Sequence, residues 1–427
     1  MRPRRARFRW LHRRLGRRGR VLVAVAAVSL LLGFALGFQG VGQQARQAAR
    51  APATADAGGG PALGQRAIWV VRHMLRTPES VDQVLALAQD VGADTLFVQV
   101  NGRMEAYYAS ALLPPAQDAA PGFDALAYLL PRAKAAGLRV HAWINAFTAG
   151  MLTDWPQHPD HILNRHPEWV TVDRSGRSLL DYSWQEAQAL VPARMLDPGV
   201  PEVQRFVADM VLEVVDRYDV DGVHLDYVRY PSRRFGYHPE SLRRFAAEHG
   251  FDPQELEQNA VAFAAAYGRD ELLRRLALWD EWRRAQVTQL VARLAEELAR
   301  RPRPVFLSVA AGADAADAVG ERLQDWPGWM ERRLVDAVVV MAYNADTERF
   351  VAHVAEAVAL GRRFGVPVYA GVGAYLLGGD GQLLRRQLEA ARQAGAAGVA
   401  VFSYDTLAEE PGLRAALRAA WRGEPAP

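Results

Sequence analysis

Four carboxylates stand where a strand-like run gives way to a loop. Asp226 closes GVHLDY, Asp346 and Asp405 follow VDAVVVMAY and GVAVFSY, and Glu105 lies in the loop after TLFVQV. Paired carboxyl groups cleave glycosidic bonds, one protonating the leaving oxygen while the other acts as nucleophile or base. Aromatic residues gather near the same ends: Tyr107, Tyr108, Trp143, Tyr227, Tyr230, Tyr343 and Tyr375, whose rings could stack on sugar faces. Each acid also has a plain reading, as a helix N-cap or an arginine's partner. Asp221, at the far end of its run from Asp226, reads as structural. His141 and His224 sit deeper in their runs and read first as interior, hydrogen-bonded histidines.

Other chemistries find less support. A metal-dependent hydrolase barrel wants two histidines one residue apart on its first strand, and here that strand ends Val70-Val71-Arg72-His73. The last four runs hold no histidine, so no metal is expected. His158, His161 and His166 share one loop without matching acids and read as solvated. There is no G-x-S-x-G elbow for a serine nucleophile and no cysteine anywhere in the chain. A dinucleotide cofactor is not expected either, because no glycine-rich turn follows the first strand.

The elements that must hold these groups repeat. Short apolar runs at 67–71, 95–100, 138–144, 222–227, 305–310, 335–343, 366–372 and 398–404 alternate with amphipathic stretches such as 78–91, 123–136, 201–217, 347–364 and 382–394. Strands apolar along their length are buried on both faces, as in a parallel sheet covered by helices. Eight such units predict an α/β fold, a (β/α)8 TIM-type barrel, with residues 239–301 as a helical insertion between strands four and five. Chemistry in such barrels gathers at the C-terminal ends of the strands. Alternation puts His141, Trp143 and Asn145 on one face, and Gly222, His224 and Asp226 likewise. The mouth is where function is expected.

Composition bounds the partners. Of 427 residues, 51 are Lys or Arg and 48 Asp or Glu, but ten arginines crowd into residues 1–20. Residues 65–427 carry 39 basic and 47 acidic side chains, net −8, which argues against a nucleic-acid groove. The arginine tail (1–20) precedes Val21–Phe38, an uncharged run at the lower limit of a membrane span. Positive charge stays in the cytoplasm, so residues 21–38 are expected to act as an N-terminal membrane segment with the body outside; a cleaved signal would instead release it. Residues 39–65 read as a flexible tether and 66–422 as the barrel. Oligomeric state is not legible.

At its motifs the chain resembles the bacterial glycosyl-hydrolase-like 10 family. The carrying stretches are VHAWIN (140–145), HPEW (166–169), LDPGVPEV (196–203), DGVHLDYVRYP (221–231), VDAVVVMAYN (335–344) and GAAGVAVFSYD (395–405). The resemblance implies a TIM-type barrel that cleaves glycans outside the cytoplasm, with peptidoglycan strands as the expected polysaccharide. It also implies Asp226 as nucleophile and Asp346 as acid/base, Glu105 being the reserve acid. Arg229 is expected to hold Asp226 ionised, and Asp346 to have the more apolar surroundings. Arg103, His141, Trp143, Asn145, Tyr227, Arg229, Tyr343, Asn344, Tyr375 and Asp405 are the expected substrate contacts. The chain departs from the family at Asn101 and Met104, where an arginine and a glycine are usual, and at Tyr227, where some members carry a second acid. The alternative function is a glycan-binding barrel without turnover.

Overall fold

The computed structural model of the protein describes residues 66–191 and 193–423. The expected membrane segment and tether lie outside the described residues. Among the described residues no helix is long and apolar enough to cross a membrane.

Eight parallel strands close into a barrel: β1 (Arg66–Val70), β2 (Thr95–Asn101), β3 (Arg139–Asn145), β4 (Gly222–Asp226), β5 (Phe306–Gly312), β6 (Ala337–Met341), β7 (Val368–Gly373) and β8 (Gly398–Phe402), with β8 pairing back onto β1. Each hydrogen-bonds to its sequence neighbours, so the barrel order is the chain order. The helices that cover it begin and end on local signals. Thr77 and Ser80 form a reciprocal cap at the start of α1 (Pro78–Val91), Pro78 takes its first position, and Gly92 closes the helix at φ 77°. Asp124 caps α2 (Ala125–Ala135), two residues inside the expected start. Pro201 opens α3 (Pro201–Arg217), its lost N–H being one that no helix start can satisfy internally.

Residues 239–299 form four helices rather than one stretch: Pro239–His249, Pro253–Gln258, Ala260–Tyr267 and the 31-residue α4 (Arg269–Ala299). The last part of α4 is the barrel's own cover, burying Val287, Leu290, Val291, Leu294 and Leu298. Its earlier turns carry Trp279 and Trp282, stacked at 5.3 Å, into a separate small core with Phe245 and Tyr237. A long loop between β3 and α3 carries a two-stranded antiparallel sheet, Thr148–Gly150 with Arg194–Met195, which the sequence pattern did not announce.

The barrel interior is crowded with rings. Trp69, Phe97 and Trp143 pack with Val339, Tyr369 and Ala400. His141 and His224 form its histidine pair, both fully buried. The Trp69 indole donates to His224 Nε2 at 3.1 Å, leaving the proton on Nδ1, 2.9 Å from Ser308 Oγ. His141 lies edge-on to Phe97 and Phe306, and among the described residues no group bonds either ring nitrogen. Gly222 makes room for it: a Cβ there would stand 2.2 Å from His141 Nδ1. His141 therefore belongs to the barrel floor and not to the substrate contacts expected of it.

Burial pushes the His141 imidazolium down to about 3, so the folded protein keeps this ring neutral where an unfolded chain would protonate it. The lowered value makes the unfolded state the better proton binder below about pH 6.5. Stability should therefore fall as pH drops from there toward 3, by about 5 kcal/mol from this residue at the acid limit. Urea unfolding across that range should show a shallower acid slope for His141→Gln. An unchanged slope would refute the assignment.

Candidate active site

Asp226 ends β4 beside Asn145, its register partner on β3. The chain turns at once, since Tyr227 sits at φ 48°, a left-handed conformation costly for a residue with a Cβ. That turn lets the Tyr227 N–H donate to Asp226 Oδ1 at 2.7 Å. Asp226 is only 8% exposed, and burial raises its carboxyl above the usual range. The Tyr227 N–H and the Arg229 charge pull the other way without overcoming burial. The Trp143 indole N–H has no closed hydrogen bond, yet lies near enough to the same carboxyl to act in that sense.

Arg229 does not clamp Asp226 as expected. Its guanidinium lies 4.8 Å from the centre of the Tyr227 ring and, among the described residues, donates only a long 3.4 Å bond to the Tyr230 carbonyl. Desolvation, which grows with every atom packed around a carboxylate, outweighs a cation that is not in contact. Asp226 is suited to hold a proton rather than to shed it.

An aromatic wall stands beside it. Tyr343 packs 5.7 Å from Phe402 and 6.1 Å from Tyr375, and Trp143 lies 6.3 Å from Phe402. Burial raises the Tyr343 hydroxyl, and the Asp226 charge adds to the rise. Tyr375 is 53% exposed, the outermost ring of the group. Of these, Phe402 carries no signal of its own in the sequence. It follows Val401 in an apolar run and looks like core until the barrel closes.

The loop after β2 brings a second acid. Glu105 is 2% exposed and takes a 2.7 Å bond from Arg103 Nε. Burial raises its carboxyl, Arg103 lowers it, and the neighbouring Asp118 adds to the rise, the balance being upward. Asn145 pins this loop to the β3 end, donating to the Gly102 carbonyl at 3.0 Å and accepting from Gln99 Nε2 at 3.4 Å. Met104, one of the two expected departures from the family pattern, is buried at φ 60° and held by the Asn101 side chain, 2.8 Å from its N–H. The two departures thus form one substitute turn. His161, read as solvated, is buried and bonds the Arg103 carbonyl at 2.9 Å, tying the β3 loop to the β2 loop.

Other expected contacts have local duties. Asp346 caps α5 (Thr347–Phe364), accepting from Glu348 and Arg349 N–H groups, and its side chain is 53% exposed. Its surroundings are thus polar, contrary to expectation. The Asn344 side chain accepts from the Asp346 N–H at 2.9 Å. Asp405 meets His73 at 2.6 Å, joining the ends of β1 and β8. Asp221 is structural as expected, bonding the Val140 N–H at 2.8 Å. A cavity of about 680 Å³ lies between the β2 and β3 loops, lined by Tyr108, Gln117, Phe123 and His158, and does not include Asp226. Gln117 also lines the small recess that holds Arg103 and Glu105. Among the described residues no group of three His, Asp or Glu is arranged to hold a metal ion.

Residues 65–371 match the family described as glycosyl hydrolase-like 10, more than half of the chain. The chain belongs to the glycosyl hydrolase-like 10 family. It is 28% identical to glycosyl hydrolase YngK of Bacillus subtilis (strain 168) over 53% of this chain and 39% of that one. It is 26% identical to glycosyl hydrolase DigH of Escherichia coli (strain K12) over 60% of this chain and 55% of that one. The chain therefore spans about half or less of these curated relatives. Among solved structures, the glycoside hydrolase domain of PgaB (BpsB) from Bordetella bronchiseptica shares the fold, with a TM-score of 0.57 and 18% identity over 84% of this chain and 98% of that one. For this family member, the β4 end and the β2 loop are where acids and aromatic rings meet.

Proposed function

We propose that the protein hydrolyses glycosidic bonds in a cell-envelope polysaccharide, with the glycan strands of peptidoglycan as substrate. The observation that carries this is Asp226, a buried carboxyl with raised proton affinity beside an aromatic wall at the barrel mouth. Such a carboxyl protonates a leaving oxygen near neutral pH. Glu105 is the second acid, with its charge supported by Arg103. Digestion of purified peptidoglycan and of peptide-stripped strands, followed by mass analysis, should release saccharide fragments. Binding to both without any release would leave the glycan-binding barrel instead.

Asp346 takes no chemical part in this reading. Asp346→Ala should cost about 1 kcal/mol of stability as a lost helix cap, and Asp346→Asn only a few tenths, since asparagine caps equally well. Turnover should stay within about threefold in both, far from the hundredfold or more that loss of a general acid brings. Thermal melts with glycan assays decide it, and a collapse of turnover in Asp346→Asn would restore Asp346 as the acid.

We place the barrel outside the cytoplasmic membrane, tethered through Val21–Phe38 behind its arginine block. Protease added to spheroplasts should degrade the barrel. Protection in intact spheroplasts would overturn the placement.

A further inference from the structure

Two guanidinium groups at the mouth have no carboxylate within 4 Å among the described residues. Arg72, directly after β1, is half-buried, and among the described residues its side chain bonds only Gln99 Oε1, at 3.3 Å. Arg229 bonds the Tyr230 carbonyl, its one hydrogen-bond partner among the described residues, and rests on Tyr227. Nearby cations are treated differently: Arg103 has Glu105 at 2.7 Å, and Arg76 has Asp118 at 2.6 Å. Burying a guanidinium without a carboxylate in contact is unfavourable, because the lost hydration is only partly replaced by more distant charges. Burial weakens the hold of Arg72 on its proton and repulsion from Arg103 adds to this, while Tyr107, Asp118 and Glu105 oppose it without an acid coming into ion-pair contact among the described residues. Both Arg72 and Arg229 act on the Tyr227 hydroxyl, the first from the β1 side and the second from the β4 side. Tyr227 follows Asp226, so the two cations flank the proposed reaction centre.

We propose that Arg72 and Arg229 recognise a carboxylate on the sugar next to the bond cleaved, selecting an acidic glycan over a neutral one. A planar guanidinium fork matches carboxylate geometry, and the anion would supply the carboxylate contact that neither group has among the described residues. The body's net −8 offers polyanions no long-range attraction, so selection must come from these local contacts. The proposal rests on the reading of this mouth as a glycan site. It differs from that reading in naming the substituent that the site selects.

The test uses the full chain with three ligands: peptide-stripped glycan strands with free carboxylates, the same strands with those carboxyls reduced to alcohols, and a polyuronate. Binding is titrated on the Asp226→Asn variant, and cleavage is followed separately on the wild type. The free-acid strands should bind at least about tenfold more tightly than the reduced ones, as charge-assisted hydrogen bonds require. That ratio should fall toward one in Arg72→Gln and in Arg229→Gln, each made in the Asp226→Asn background, while Arg72→Lys keeps part of it. If Arg229→Gln fails to fold, Arg72→Gln alone carries the test, because its side chain has one neutral partner to lose. Equal binding of acid and reduced strands, a preference that survives Arg72→Gln, or no binding of any ligand overturns the proposal. Tighter binding of the polyuronate would identify a ring carboxylate as the group read. Preference without cleavage by the wild type would remove the hydrolase and keep the arginine pair; cleavage without preference would do the reverse.

Discussion

Asp226→Asn should fold, melt higher than the wild type at neutral pH, and lose about a thousandfold or more in turnover, equivalent to about 4 kcal/mol of transition-state stabilisation. The loss follows because an amide cannot deliver the proton that the leaving oxygen needs. The gain in stability follows from the sign of the shift. Burial raises the carboxyl in the folded protein, so the folded state holds this proton more tightly than the unfolded chain. The resulting stability is fully present below the unfolded value near pH 4 and is lost as pH rises through the raised folded value. Above that window the wild type carries a buried charge, and asparagine does not. The difference in melting temperature between variant and wild type should therefore be larger at pH 7 than at pH 4. Turnover should also decline on the alkaline side as Asp226 gives up its proton. Near-wild-type cleavage by Asp226→Asn would remove Asp226 from the chemistry, and a variant that melts lower at pH 7 would make it a structural carboxylate.

The barrel was legible because its signals are local. Alternation along GVHLDY puts Asp226 on the face of Gly222 and His224, and the structure keeps all three inside. Pro78 and Gly92 bracket α1, so both ends of that helix could be read from single residues. What misled was equally local. Asp346 precedes Thr-Glu-Arg, a start signal for a helix, and its cap role competes with any catalytic one for the same two oxygens. The ionisation of Asp226 could not be read at all, because it depends on how much protein surrounds the carboxyl and how far Arg229 stands from it. Spacing a few residues beyond a strand end allows contact or none, and the turn at Tyr227 sends the guanidinium onto a ring. Arg72 was seen only as the residue that is not a glycine-rich loop. Its importance depends on Gln99 from the next strand being its one hydrogen-bond partner among the described residues, a contact that chain order alone does not specify.

Glu105→Gln should lower turnover by about a hundredfold or more and remove the acid limb of the pH profile. A base must be ionised to work, so activity falls as pH drops through its folded value. Burial places that value above the ordinary glutamate range, and Arg103 at 2.7 Å limits the rise. The acid limb from Glu105 and the alkaline limb from Asp226 would together make a bell, and glutamine at 105 should leave only its alkaline side. The same substitution has a structural consequence that must be separated from the chemical one. Arg103 is 13% exposed, and without Glu105 its nearest carboxylate oxygen is on Asp118 at 3.8 Å. Breaking a buried pair by removing one partner costs about 3 kcal/mol or more, so Glu105→Gln should also melt lower. Arg103→Met combined with Glu105→Gln removes both charges and should recover part of that stability while recovering none of the turnover. If the double variant regained activity along with stability, or if Glu105→Gln cleaved glycan within about threefold of the wild type, Glu105 would be Arg103's counter-ion and nothing more.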